Sequence, residues 1–242
     1  MFIKNKLALI ESLETMVAQE QRMNQISNNL ANVDSAGYKR ESNTFHEVLI
    51  KHMDRPPRVG KGVKVITDHS QGTLEPTANP LDVAISGEGF FRVQTPDGVR
   101  YTRAGNFQLN REGQLATSNG HLVLGESGTI VIEGERVTVT STGAVIVDDA
   151  EVARLQVVRF ADPALLEKEG LNLFRPVGDE GGEEAATDFT VQQGYLEGAN
   201  VNTIVEMTAM MDLYRDYESQ QRVIRVVDEM NSDTVSRVGR LA

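Results

Sequence analysis

The chain has 242 residues, 40% hydrophobic and 24% charged, a composition that excludes an intrinsically disordered polymer and suits one large domain or two small ones. It has no cysteine, which excludes a disulfide framework, a thiolate metal site and a cysteine nucleophile, and with no Trp and 5% aromatics its core is expected to be aliphatic. The net charge of -11 sits in the middle, where residues 71 to 200 hold 9 basic and 20 acidic side chains; such a body repels phosphate backbones and excludes nucleic acid as a partner.

At the N-terminus Lys4 and Lys6 precede the apolar run Leu7 to Ile10, which stops at Glu11. That is short of the roughly 7 to 15 residues of a signal core, so no cleavable secretion signal is expected. No stretch approaches the ~18 to 20 apolar residues that span a bilayer. Residues 3 to 33 place Leu9, Leu13, Met16, Met23, Ile26 and Leu30 at spacings of three, four and seven, which predicts a helix with a heptad tendency. Asp34-Ser35-Ala36-Gly37 ends it near Val33, and residues 34–70 follow as a connecting segment.

Residues 71–203 alternate β-branched and polar side chains between turns. Strands are predicted over Asp82 to Val93, Val99 to Leu109, Leu115 to Leu124, Ile130 to Val139, Ala144 to Val147 and Val152 to Phe160. The separators are turn chemistry: Pro96-Asp97-Gly98, Asn110 to Gly113, Asn119-Gly120 and Thr142-Gly143. Short strands with tight turns imply an antiparallel body. The acidic stretch Asp179 to Glu184 is expected to be a solvated loop tip.

From residue 204 to the end the pattern is helical again. Met210, Tyr217, Ile224, Asn231 and Val238 recur every seven residues, and Leu213, Gln220, Val227, Thr234 and Leu241 form a companion series. Thr203 and Glu206 have the spacing of a capping box that starts this helix near Ile204. Neither terminal helix has a complement of its own length within the body. The fold class is therefore α+β: an antiparallel β body, and a discontinuous coiled-coil-like domain made of residues 1–33 and 204–242 that serves assembly.

Motifs for chemistry are weak. His46, His52, His69 and His121 lack the HxxxH spacing of a zinc site and are expected on the surface or in loops. Gly87-Glu88-Gly89 leads into a strand and no helix, so it is a turn and not a dinucleotide loop. Gly125-Glu126-Ser127-Gly128 misses the nucleophile-elbow register by one residue. Asp148-Asp149 and Asp179-Glu180 lack the spacing of a calcium loop. No catalytic, cofactor-binding or metal-ligating residue is predicted, and the chain is expected not to be an enzyme.

Four segments carry a more specific pattern: Asn28-Asn29-Leu30-Ala31-Asn32-Val33 with Ala36-Gly37-Tyr38-Lys39-Arg40; Asn79 to Ile85 with Gly87 to Phe91; Tyr101 to Phe107; and Gly194 to Asn202. In this order they resemble the bacterial flagellar rod and hook proteins across essentially the whole chain. The compact length and the run Val223 to Glu229 look most like proximal-rod members, with longer distal-rod or hook-type members as the alternative. The resemblance implies a structural subunit of the basal-body rod across the periplasm, exported by the flagellar apparatus without signal cleavage and packed against copies of itself and other rod proteins.

Its assembly motif would comprise Asn28, Asn29, Leu30, Ala31, Asn32, Gly37, Tyr38, Leu196, Glu197, Asn200, Val201 and Asn202. Its seam would comprise Leu9, Leu13, Met16, Met23, Leu30, Met210, Leu213, Tyr217, Ile224, Val227, Val238 and Leu241. A soluble coiled-coil adaptor of fixed mass and an enzyme built on the β body are the readings from other classes.

Overall fold

The computed structural model describes residues 2–52, 55–170, 172–177 and 182–239, with side chains described outside 2–9, 11, 45–63 and 231–239. The chain divides into two compact units. The first gathers residues 1–31, 41–66 and 202–242, and the second residues 32–40 and 67–201.

In the first unit, helix α1 (Phe2–Ala31) contacts the C-terminal helix, while strands β1 (Glu41–His52) and β2 (Arg55–Thr67) pair within the stretch the sequence leaves as a connection. Strand β1 also contacts α1. Ala18, Ile26 and Asn29 of α1 are buried, whereas Leu13 is 49% exposed.

The second unit is a run of short strands: β3 (Leu74–Pro76), β4 (Val83–Gly87), β5 (Phe90–Thr95), β6 (Gly98–Thr102), β7 (Phe107–Leu109), β8 (Leu115–Thr117), β9 (Leu122–Gly125), β10 (Gly128–Thr129), β11 (Val137–Val139), β12 (Ala144–Val147) and β13 (Ala150–Arg154). After these come β14 (Val157–Phe160), β15 (Leu166–Lys168), β16 (Leu173–Pro176), β17 (Glu183–Ala185), β18 (Phe189–Gln193) and β19 (Tyr195–Glu197). Pairings in this unit are antiparallel, as the tight turns imply: β5 pairs with both β6 and β9, and β4 pairs with β18. The Asn119-Gly120 turn closes β8 on β9 with Gly120 at φ +84.

Several expected strands are cut in two. Gly87 and Gly89 take φ values of +107 and +136 and turn the chain between β4 and β5, where one strand over 82 to 93 is predicted. The tight approach at Gly105 likewise separates β6 from β7. Within the acidic tip, Glu183 and Glu184 lie in β17 and bond to Tyr101 (2.7 Å) and Arg159 (2.7 Å); Asp179 and Glu180 lie outside the described residues.

The main core is aliphatic, around Ile85, Val93, Val123, Ile130 and Val145. A second cluster is not: Phe90, Tyr101, Phe160 and Phe174 pack edge to face. Three phenylalanines and one tyrosine thus make an aromatic sub-core in a chain with few aromatics, and Phe91 and Phe107 are buried in the main core.

The C-terminal helix α2 (Thr203–Gly239) returns to the first unit. Its cap is Asn202 and not Thr203: Asn202 Oδ1 accepts from the amides of Ile204 (3.1 Å) and Val205 (3.2 Å), the N2 and N3 donors that a cap side chain satisfies. Glu206, assigned from the sequence to a capping box, is buried with its carboxylate accepting from Asn29 of α1 at 3.4 Å. Among the described residues no helix is long and apolar enough to cross a membrane.

Candidate functional site

Parts of all four motif segments meet at one buried joint in the second unit. After α1 the chain turns at Gly37, whose φ of +67 favours glycine and where an added Cβ would lie 2.2 Å from the Ala104 amide nitrogen. The Gly37 amide donates to the Glu197 carbonyl at 2.7 Å. Tyr38 is buried, with the Lys168 ammonium 3.6 Å from its ring centroid.

Lys39 then points into the interior. Its ammonium donates to Glu197 Oε1 and to the Ser70 carbonyl, each at 2.6 Å, and both side chains of the ion pair are fully buried. Arg103 reaches the other carboxylate oxygen, Glu197 Oε2, at 3.2 Å and donates to the Gly87 carbonyl at 2.8 Å. The amide of Gly72 donates to Glu197 Oε1 at 3.0 Å. One carboxylate thus serves two cations and an amide, and carbonyl oxygens of Ser70 and Gly87 take further cationic donors, while Arg103 Nε is buried without a hydrogen-bond partner. Burial pushes the Lys39 and Arg103 pKa values down, and Glu197 opposes both shifts. The carboxylate is enclosed, so its geometry suits holding chain segments together rather than proton transfer.

Asn200 secures the same joint from the side. Its Oδ1 accepts from the Arg40 amide at 2.7 Å, and its Nδ2 donates to the carbonyls of Asp68 (2.8 Å) and Ser70 (3.1 Å). Beside it His69 lies in the loop between β2 and β3, half-buried, and its ring packs edge-on against Phe90 and Phe174 at centroid distances of 5.7 and 5.2 Å. Burial, followed by the Lys39 and Arg103 charges, lowers its pKa from 6.5 to about 4, against the opposing charge of Asp68.

Between those values the unfolded chain takes up a proton that the folded unit refuses. The stability linked to His69 is complete above about pH 6.5 and declines as pH falls towards 4, by at most about 3 kcal/mol. Urea unfolding of wild type and His69→Phe at about pH 7 and about pH 4.5 checks this: the wild type should lose more stability on acidification, and equal losses refute the assignment.

In the first unit Asn29 acts as a backbone mimic. Its Nδ2 donates to the Glu41 carbonyl at 2.9 Å and its Oδ1 accepts from the Glu41 amide at 3.0 Å, with Gln25 Nε2 also donating to that carbonyl. Asn28 and Ala31 are exposed, and Leu30 and Asn32 half-buried. Of the remaining motif residues, Leu196 and Val201 are half-buried and Asn202 is the helix cap.

The predicted seam is uneven. Leu213 is buried; Met16, Met23, Met210, Tyr217, Ile224 and Val227 are half-buried; Leu13 is largely exposed. The side chains of Leu9 and Val238, and all of Leu241, lie outside the described residues. Sequence reasoning placed Lys39 and Arg103 inside recognisable blocks without joining them to Glu197; the available signal was a charged residue two positions from a motif glycine in both blocks. Among the described residues no group of three or more His, Asp or Glu is placed to hold a metal ion.

Comparison with known proteins matches three family profiles: flagella basal body rod protein over residues 12–39, flagellar hook protein FlgE/F/G D1 domain over 84–147, and flagellar basal body rod FlgEFG protein C-terminal over 192–237. Lys39, Arg103 and Glu197 come one from each segment. The chain is 34% identical to the flagellar basal-body rod protein FlgG of Buchnera aphidicola subsp. Baizongia pistaciae, covering 88% of this chain and 92% of that protein. It is 34% identical to FlgG of Agrobacterium fabrum (93% and 97%) and 32% identical to FlgF of Caulobacter vibrioides (97% and 98%).

Proposed function

The chain belongs to the family of flagellar basal-body rod proteins, which are structural parts and not enzymes, and we propose that it builds the rod's proximal section by packing its terminal helices against copies of itself and other rod proteins. The observation that supports the packing role is the surface of α2. Although this helix pairs with α1, Ile204, Met207, Met211, Tyr214, Val223 and Val226 remain 48 to 77% exposed. Rows of large apolar side chains on a paired helix call for further neighbours.

The proximal position rests on the run Val223 to Glu229; relatives named FlgG and FlgF both match, so the position is what experiment decides. In this reading the protein leaves the cell through the flagellar export apparatus, uncleaved, and lies in the periplasmic part of the shaft. Deleting its gene from the source bacterium should abolish motility, and basal bodies purified from that strain should lack the distal rod. Distal rod assembled without this chain would overturn the proximal placement. Failure to find the chain in wild-type basal bodies by mass spectrometry would overturn the rod reading itself. Intact-mass measurement on the incorporated protein tests cleavage.

A further inference from the structure

The apolar side chains of α2 are not spread evenly. The stripe facing α1 runs through Glu206, Leu213, Tyr217 and Ile224. In the first half of the helix Ile204, Met207, Met211 and Tyr214 recur at spacings of three and four. At about 3.6 residues per turn this cluster lies roughly a third of a turn to one side of the α1-facing stripe. In the second half Val223 and Val226, 48% and 54% exposed, lie roughly a third of a turn to the other side.

In the first half the flank that bears Val223 and Val226 further along holds the exposed Val205 and then, level with Met211, an exposed ion pair; in the second half the flank of the first cluster carries another. Asp212, paired with Arg215 (3.9 Å), lies across from the first cluster, and Glu218, paired with Arg222 (3.8 Å), across from the second. Two copies set side by side at the same level would press Met211 onto Asp212 and Arg215, and desolvating that pair against an apolar side chain has no compensating partner. An axial shift of about 16 residues, roughly 25 Å at about 1.5 Å per residue, removes this conflict and lays one apolar cluster on the other.

Resting on the rod-subunit reading, we infer that the Ile204 to Tyr214 cluster of one copy docks on the Val223 and Val226 cluster of a second copy, offset along the helix axis. The two surfaces differ, so the contact is heterologous. Each copy that joins uses one surface and leaves the other open, so the assembly keeps one unused surface of each kind at its ends and addition continues without closing into a dimer.

The absence of cysteine makes the contact readable by cross-linking. Met211→Cys and Val226→Cys are introduced into the full chain singly and together, with Met207→Cys and Val223→Cys as a second pair, and unfolding curves confirm that each variant folds. Basal bodies from the source bacterium expressing each variant are then oxidised. Either single variant should give no covalent dimer. The double variant should give dimers and higher multimers, and co-expressed single variants should stop at dimers. A dimer from Met211→Cys alone would show a symmetric contact and overturn the inference. So would basal bodies that contain both double variants without cross-links. Absence of wild-type chain from basal bodies overturns the rod-subunit reading, and the inference with it.

Discussion

Replacing Glu197 by glutamine is expected to destabilise the β body by about 3 to 5 kcal/mol, the range for removing one partner of a buried ion pair. The amide retains the side chain's size and can still accept from Gly72, so little of the loss comes from packing. What is lost is the charge that holds Lys39 at 2.6 Å and Arg103 at 3.2 Å in the interior. Burial already lowers the Lys39 pKa, so without Glu197 this lysine should shed its proton first, and the deficit should shrink as pH rises. Adding Lys39→Met to the variant should restore part of the stability. Urea unfolding of the purified chain provides the measurement; a loss below about 1 kcal/mol, or no recovery in the double variant, would show that the triad is not what ties the joint.

Gly105→Ala should be at least as severe. A Cβ at this position would sit 1.6 Å from the Val83 carbonyl oxygen and 3.3 Å from the Phe91 ring, and a backbone atom in a sheet cannot swing aside as a side chain can. The Val83 amide already donates to the Gly105 carbonyl at 3.0 Å, so the two segments cannot part without losing that bond. Soluble, folded protein is not expected, a loss of more than about 4 kcal/mol. Gly198→Ala is the matched control: its Cβ would meet Thr73 O at 3.4 Å, an ordinary contact, and the cost should stay below about 1 kcal/mol. Equal thermal melts for both variants would refute the steric account.

The contrast between these glycines shows what the sequence could and could not convey. Both terminal helices and the β12 strand were legible because heptad spacing and alternation are local properties. Strands β15 to β19 were not. Glu183-Glu184-Ala185 has no strand character of its own and is extended because β14 offers it a partner. Likewise Leu173 to Pro176 contains a proline and is held through Thr102 and Tyr101 of β6. At the joint, the glycines and asparagines announced a structural requirement, but not that Gly37 faces Ala104 or that Gly72 faces Gly198. Such requirements are set by the opposing backbone, and its identity is nowhere encoded nearby. The capping box failed for a related reason: Asn202 and Thr203 are both good cap residues, and the burial of Glu206 beside Asn29 decided between them.

The triad joins residues 158 positions apart, with Lys39 near one end of its unit and Glu197 near the other. A chain emerging from its N-terminus exposes Lys39 and Arg103 long before their shared counter-ion exists. Until then both cations are better served by water, and sealing them inside would carry an unneutralised double charge. The body therefore has a high-contact-order closing step that waits for its last strand. Any process that threads the polypeptide in an extended state gains from this delay, because the unit cannot complete itself in the passage and locks only once residue 197 has cleared it.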